Sequence, residues 1–199
     1  TGTAKTLLEI KDFLNNLPDD ILVFLDQAYY EYIEGSEFDI PFSLIDDHPN
    51  LVISRSFSKA HGLAALRLGF CVSNPELSDY LNRVRQPFNA NSLALDLGKV
   101  ALSDQEHISK SVKINSSGME RVKKAFTNLD YNFIESWGNF ISFDAKQDSD
   151  VAFQYFLEKG VILRSLKVYE MPQHLRVSIG TEEEMDFFLQ VLEDYEKDL

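Results

Sequence analysis

Residues 5 to 17 carry Leu7, Leu8, Ile10, Phe13, Leu14 and Leu17 at helical spacing, and Pro18-Asp19-Asp20 interrupts the pattern. The spacing predicts a helix that stops at the proline. The continuous apolar run Ile21 to Leu25 follows and ends in Asp26. A run of that length predicts a buried parallel strand with a polar residue at its C-terminal end, where open α/β sheets bind ligands. Leu51 to Ser54 repeats the pattern and runs into the polar segment Arg55 to His61, and Leu66 to Val72 reads as a third strand. Helical spacing returns over 75–84 and 92–102.

From about residue 104 the pattern changes. A long polar helix over 104–128 precedes short strands at Tyr131 to Glu135 and Phe140 to Phe143. A helix near 150–159, strands near 161–164 and 175–179 and a closing helix from 182 complete the chain. The class expected is α/β, with an α/β layer over 1–104 followed by a smaller α+β domain over 105–199. No internal repeat or low-complexity linker marks the boundary.

Composition narrows the partners. The 199 residues are 44% hydrophobic, enough to bury a core and unlike a disordered chain. A net charge of -13 and a pI near 4.7 oppose attraction to phosphate backbones or anionic lipid, so neither nucleic acid nor a membrane surface is an expected partner. A local cluster of arginines can still bind a small anion, because net charge says nothing about one pocket. The lone Cys71 excludes an internal disulfide, and no Cys/His cluster has zinc-ligand spacing. Cys71 reads as a buried thiol, and His48, His61, His107 and His174 as ordinary histidines. No apolar stretch approaches the roughly 20 residues that span a bilayer, and no signal peptide is evident, which suggests a cytoplasmic protein.

The segment Ser54-Arg55-Ser56-Phe57-Ser58-Lys59-Ala60-His61-Gly62-Leu63-Ala64-Ala65-Leu66-Arg67 sets hydroxyls, a lysine, a glycine-containing loop and an arginine between two apolar runs. Hydroxyls and a cation converging at a strand end suit a phosphate, but composition does not name the ligand. The run resembles the Schiff-base lysine motif of fold-type I aminotransferases, Ser-x-Ser-Lys with an arginine eight residues after the lysine. The resemblance implies pyridoxal 5'-phosphate (PLP) as cofactor, Lys59 as its covalent anchor, Arg67 on its phosphate, and Ser56 and Ser58 assisting there. Asp26-Gln27-Ala28-Tyr29 resembles the family's Asp-x-Ala-Tyr motif. It makes Asp26 the partner of the pyridine nitrogen and Tyr29 the donor to the ring 3'-oxygen, and a carboxylate there keeps that nitrogen protonated.

Two further segments extend the resemblance. Val161 to Arg164 and His174 to Thr181 are similar to strands that bring substrate-binding arginines into these sites. Arg176 matches the arginine that binds the substrate α-carboxylate, a role its planar fork suits. For Arg164 a surface salt bridge and a substrate contact are equally open, and Trp137-Gly138-Asn139-Phe140 resembles a segment that places Asn139 near substrate. Arg85 to Leu95, taken with the lysine motif, resembles histidinol-phosphate aminotransferases, whose loop here lies near a dimer interface. That implies a homodimer exchanging an amino group between histidinol phosphate and 2-oxoglutarate, with glutamate as the other product, in histidine biosynthesis. An aromatic or broad-range aminotransferase of the same fold, and a non-catalytic piece lacking part of the site, remain alternatives. Thr1-Gly2-Thr3 resembles the tail of the family's Asn-Pro-x-x-Pro-Thr-Gly loop. On that reading the chain is the C-terminal part of such an enzyme, with roughly two fifths of a typical member preceding it.

Overall fold

A computed structural model describes every residue except Asp19. The chain forms two compact units, Lys5–Ser109 and Lys110–Leu199, the second joined by Thr1–Ala4.

In the first unit Thr6 opens α1 (Leu7–Asn15) with a capping box: its hydroxyl accepts from the Glu9 N–H while Glu9 accepts from the Thr6 N–H. Strand β1 (Val23–Asp26) pairs in parallel with β2 (Leu51–Ser56), which pairs antiparallel with β3 (Gly69–Ser73). Between β1 and β2 the chain makes 3-10 turns at Tyr30–Tyr32 and Ser36–Phe38 and the short helix α2 (Leu44–Asp47). Leu14, Ile40, Leu44, Ile45, Leu51 and Ile53 form one buried cluster. Helices α3 (Pro75–Val84) and α4 (Ser92–Ser103) start at Asn74 and Asn91, whose side chains accept from backbone N–H groups in the first turn. Ala94 of α4 packs with Phe57 and Leu68 in a second cluster.

Three expectations need correcting here. The apolar run ending at Asp26 is not buried on both faces: β1 alternates, Val23 and Leu25 facing the core while Phe24 is 60% exposed. Among the described residues β1 pairs on one side only, with β2, and alternate side chains are covered. The third strand begins at Gly69, not Leu66, because Ala64–Leu66 winds into a 3-10 turn and Arg67 takes a left-handed conformation at φ 52°. Cys71, read as a buried thiol, is exposed on β3.

The second unit holds the sheet β4 (Phe133–Ile134), β5 (Phe140–Asp144), β7 (His174–Ser178) and β6 (Arg164–Ser165), in that spatial order and antiparallel throughout. Helices α6 (Ser149–Glu158) and α7 (Glu182–Asp198) lie in this unit, as does α5 (Gln105–Asn128) from Lys110 onward. Phe126, Phe143, Phe156 and Phe188 are buried together, with Phe126 and Phe143 ring centroids 4.6 Å apart. The strands expected at 131–135 and 161–164 shorten to two residues each, 133–134 and 164–165. Tyr131, Val161 and Leu163 are still buried, so the apolar pattern reported burial where it was taken for pairing.

Candidate active site

In the first unit, parallel pairing sets Asp26 beside Ser54 at the C-terminal ends of β1 and β2. One Asp26 oxygen accepts from the Ala28 N–H at 2.9 Å and from the Ser54 hydroxyl at 3.4 Å. The carboxylate therefore shapes the turn that follows it, and its second oxygen accepts no bond among the described residues.

Successive contacts tie the segment after β1 to the one after β2. The Gln27 N–H donates to Ser54 O at 2.9 Å, and Arg55 Nε donates to the buried Gln27 side chain at 3.2 Å. The Arg55 guanidinium lies 3.6 Å from the Tyr30 ring centroid and 4.7 Å from that of Phe42. Lys59 Nζ lies 5.0 Å from the Tyr29 ring centroid. No carboxylate pairs with Lys59 among the described residues, which leaves its amine available to an incoming group.

The loop after β2 closes at its neck, where the Phe57 N–H donates to Leu68 O at 3.1 Å. Ser56 and Ser58 stand on one side of that neck, the Ser56 hydroxyl accepting from the Ser58 N–H at 3.0 Å. Arg67 stands on the other side, exposed, with one nitrogen donating to Ala64 O at 3.0 Å. Gly69 allows the crossing: a Cβ on it would sit 2.9 Å from the Arg55 carbonyl oxygen. An amine, a carboxylate with a free oxygen, a phenol, two hydroxyls and a guanidinium are the donor set that an aldehyde bearing a pyridine ring and a phosphate requires. These residues fit PLP by their chemistry.

Arg176, Arg164 and Asn139 belong to the second unit. Arg176 on β7 faces Ser142 of β5 on one side and Arg164 of β6 on the other. Its guanidinium rests 4.6 Å from the Phe140 ring centroid, and Ser142 beside it is fully buried with an unpartnered hydroxyl. Arg164 donates to the Tyr169 hydroxyl at 3.0 Å and makes no ion pair among the described residues, so the surface salt bridge left open for it is not present. The half-buried Asn139 accepts the Ile179 N–H through its backbone at 2.8 Å.

Gln27, Glu31, Arg55 and His61 were not singled out by sequence; Gln27 and Arg55 link the segment after β1 to the one after β2, and Glu31 Oε1 lies 3.7 Å from His61 Nε2. The available signal was position, since each lies within five residues of Asp26 or Lys59. Among the described residues no group of three or more His, Cys, Asp or Glu side chains is arranged to hold a metal, and no helix is long and apolar enough to cross a membrane.

Comparison with known proteins bears on this arrangement. Residues 1–192 match the family model for aminotransferase class I and II. Histidinol-phosphate aminotransferase 1 of Nitrosococcus oceani is 46% identical over 193 residues, which are 97% of this chain and 52% of that protein. Histidinol-phosphate aminotransferase 2 of Pseudomonas fluorescens is 47% identical over 192 residues, 96% of this chain and 52% of its own length. The chain thus spans about half the length of the curated relatives it matches. The crystal structure of histidinol-phosphate aminotransferase from Sinorhizobium meliloti in complex with pyridoxal-5'-phosphate superposes with a TM-score of 0.90. It covers all of this chain and 55% of the other at 24% identity, a likeness of fold: a C-terminal portion of the fold-type I architecture.

Proposed function

The chain belongs to the class I and II aminotransferase family, whose members depend on PLP, and on that premise we propose that it is the C-terminal part of an enzyme transaminating histidinol phosphate with 2-oxoglutarate. The products are imidazole acetol phosphate and glutamate, in histidine biosynthesis. The observation that carries the reading is the meeting of Lys59 with Tyr29 beside the parallel register of Asp26 and Ser54. The names of the relatives support the choice of substrate. Residues 1–104 then belong to the PLP-binding large domain and residues 105–199 are the small C-terminal domain. The protein works as a cytoplasmic homodimer on this reading.

When bound, PLP supplies the electron sink that lets an amino group pass between two carbon skeletons. Lys59 would hold it, and its free amine would carry a proton to or from the substrate α-carbon. Asp26, through its free oxygen, holds a proton on the ring nitrogen, because a carboxylate favours the charged form of a neighbouring base. Tyr29 donates to the 3'-oxygen. Arg67 with the Ser56 and Ser58 hydroxyls holds the phosphate by charge-assisted and neutral hydrogen bonds. Arg176, with Arg164 next to it across the strand pair, binds the phosphate of one substrate and a carboxylate of the other, while Asn139 contacts the substrate.

The test uses the full-length protein. Borohydride treatment should fix PLP on Lys59 by peptide mass, and histidinol phosphate with 2-oxoglutarate should yield glutamate. Fixation without glutamate, but with turnover of phenylalanine or tyrosine, would replace the substrate assignment by an aromatic one. No fixation and no turnover would remove the enzyme.

A further inference from the structure

Glu31 and His61 are partly to deeply withdrawn from solvent, their side chains 13% and 9% exposed, with Glu31 Oε1 3.7 Å from His61 Nε2. Glu31 Oε2 and His61 Nδ1 are buried and have no hydrogen-bond partner among the described residues. Burying a carboxylate and an imidazole together without completing their hydrogen bonds is costly, and such a pair in low dielectric depends on each member to offset the other's desolvation. A surface ion pair elsewhere in the chain carries no such dependence.

Position gives the pair its consequence. Glu31 lies in the 3-10 turn Tyr30–Tyr32, next but one to Tyr29, and His61 lies next but one to Lys59. His61 is held on its own side: its ring tilts against buried Phe57 at 4.9 Å, and the following Gly62, at φ 71°, donates its N–H to Lys59 O at 2.9 Å. Lys59 Nζ itself meets this second segment at the Tyr29 ring, 5.0 Å from the centroid, and makes no ion pair among the described residues. A flexible four-carbon side chain with so loose a contact does not fix its own direction.

We infer that Glu31 and His61 form a buried positioning pair that locks the Lys59 turn against the Tyr29 segment and thereby sets how the Lys59 amine is presented. The inference rests on the reading of Lys59 as the PLP anchor. Both act through the backbone of their neighbours.

The experiment is a double-mutant cycle in the full-length chain, with PLP released as its oxime by hydroxylamine and dialysed away. The readout is the rate at which trinitrobenzenesulfonate modifies Lys59, followed by peptide mass spectrometry and referred to exposed Lys11 of the same unit. In Glu31→Ala and in His61→Ala the Lys59 rate relative to Lys11 should change by about fivefold or more, and the double variant should match the singles, as coupled neighbours do. Lys11 corrects for reagent and pH, and urea unfolding of each variant separates a general loss of fold from a local change at Lys59. A Lys59 rate within about twofold of the parent in both singles, or single effects that multiply in the double, would overturn the pair. Should an alanine variant not fold, the same cycle on Glu31→Gln and His61→Asn decides by the same criteria. Borohydride fixation of PLP on Lys59 in the parent is measured alongside: its failure strikes the aminotransferase reading, whereas labelling without coupling strikes only the positioning pair.

Discussion

At the scale of single residues, the proposed chemistry rests on groups that the fold leaves incompletely bonded. Lys59 has an aromatic ring near its amine and no carboxylate among the described residues, and Asp26 keeps one oxygen free after shaping its turn. Lys59→Ala in the full-length enzyme should therefore remove turnover by about 10²-fold or more, the usual contribution of a positioned acid or base. PLP should still bind without a covalent link, because the contacts proposed for Asp26, Tyr29 and Arg67 remain. A loss of less than about tenfold would contradict the role of Lys59. Asp26→Ala should leave PLP attached to Lys59 yet slow exchange of the substrate α-deuteron, since a neutral pyridine accepts electron density poorly. An unchanged exchange rate would show that the carboxylate merely shapes its turn. His61 illustrates what sequence hides at this scale. Its partner lies thirty positions away at Glu31, and only folding reveals that the two share one buried space.

At the scale of elements, termini and crossings decide local stability. Glu9 closes the capping box of α1, and hydrogen bonds from Lys5, the Thr6 N–H and the Thr6 hydroxyl lower its carboxyl from 4.5 to about 2. A carboxyl depressed on folding adds stability that is complete above its unfolded value and fades as pH falls through its folded one. The stability difference between the parent and Glu9→Gln should be full near neutrality and should close between pH 4.5 and about 2. Thermal unfolding across that range checks it, and a difference independent of pH would mean that the cap acts only through shape. Gly69→Ala tests the β2–β3 crossing, where a methyl would press on the Arg55 carbonyl. It should cost about 1–3 kcal/mol in urea unfolding, as overpacking does when backbone must give way. Helices were the most legible elements: the 3.6-residue pattern and the Asn74 and Asn91 caps both lie in the local sequence. Strand lengths were less so, because burial of Val161 and Leu163 and pairing of Arg164–Ser165 leave the same apolar signature. The turn at Ala64–Leu66 carries no proline or glycine of its own to announce it.

At the scale of the whole molecule, the proposed labour divides between the two units, each with its own core. The residues assigned to PLP lie in Lys5–Ser109, and those assigned to substrate anions lie in Lys110–Leu199. The motifs around Lys59 and Asp26 were readable because they are local, whereas the setting of Arg176 was not. Its neighbours Phe140, Ser142 and Arg164 come from two other strands, and only the register of β5, β7 and β6 assembles them. The division makes Arg176→Ala diagnostic. PLP retention should stay as in the parent, while histidinol phosphate and glutamate both weaken, because one guanidinium is assigned to both anions. Losing a charge-assisted contact at this half-buried position should cost about 2–4 kcal/mol, or roughly 30- to 1000-fold in specificity constant. Single-turnover measurement of each half-reaction on the full-length protein separates the outcomes. Loss confined to glutamate would assign the phosphate to another group, with Arg164 across the strand pair the first to replace. Loss of neither would make the Arg176–Phe140 stack a feature of sheet packing and end the idea of one arginine serving two anions.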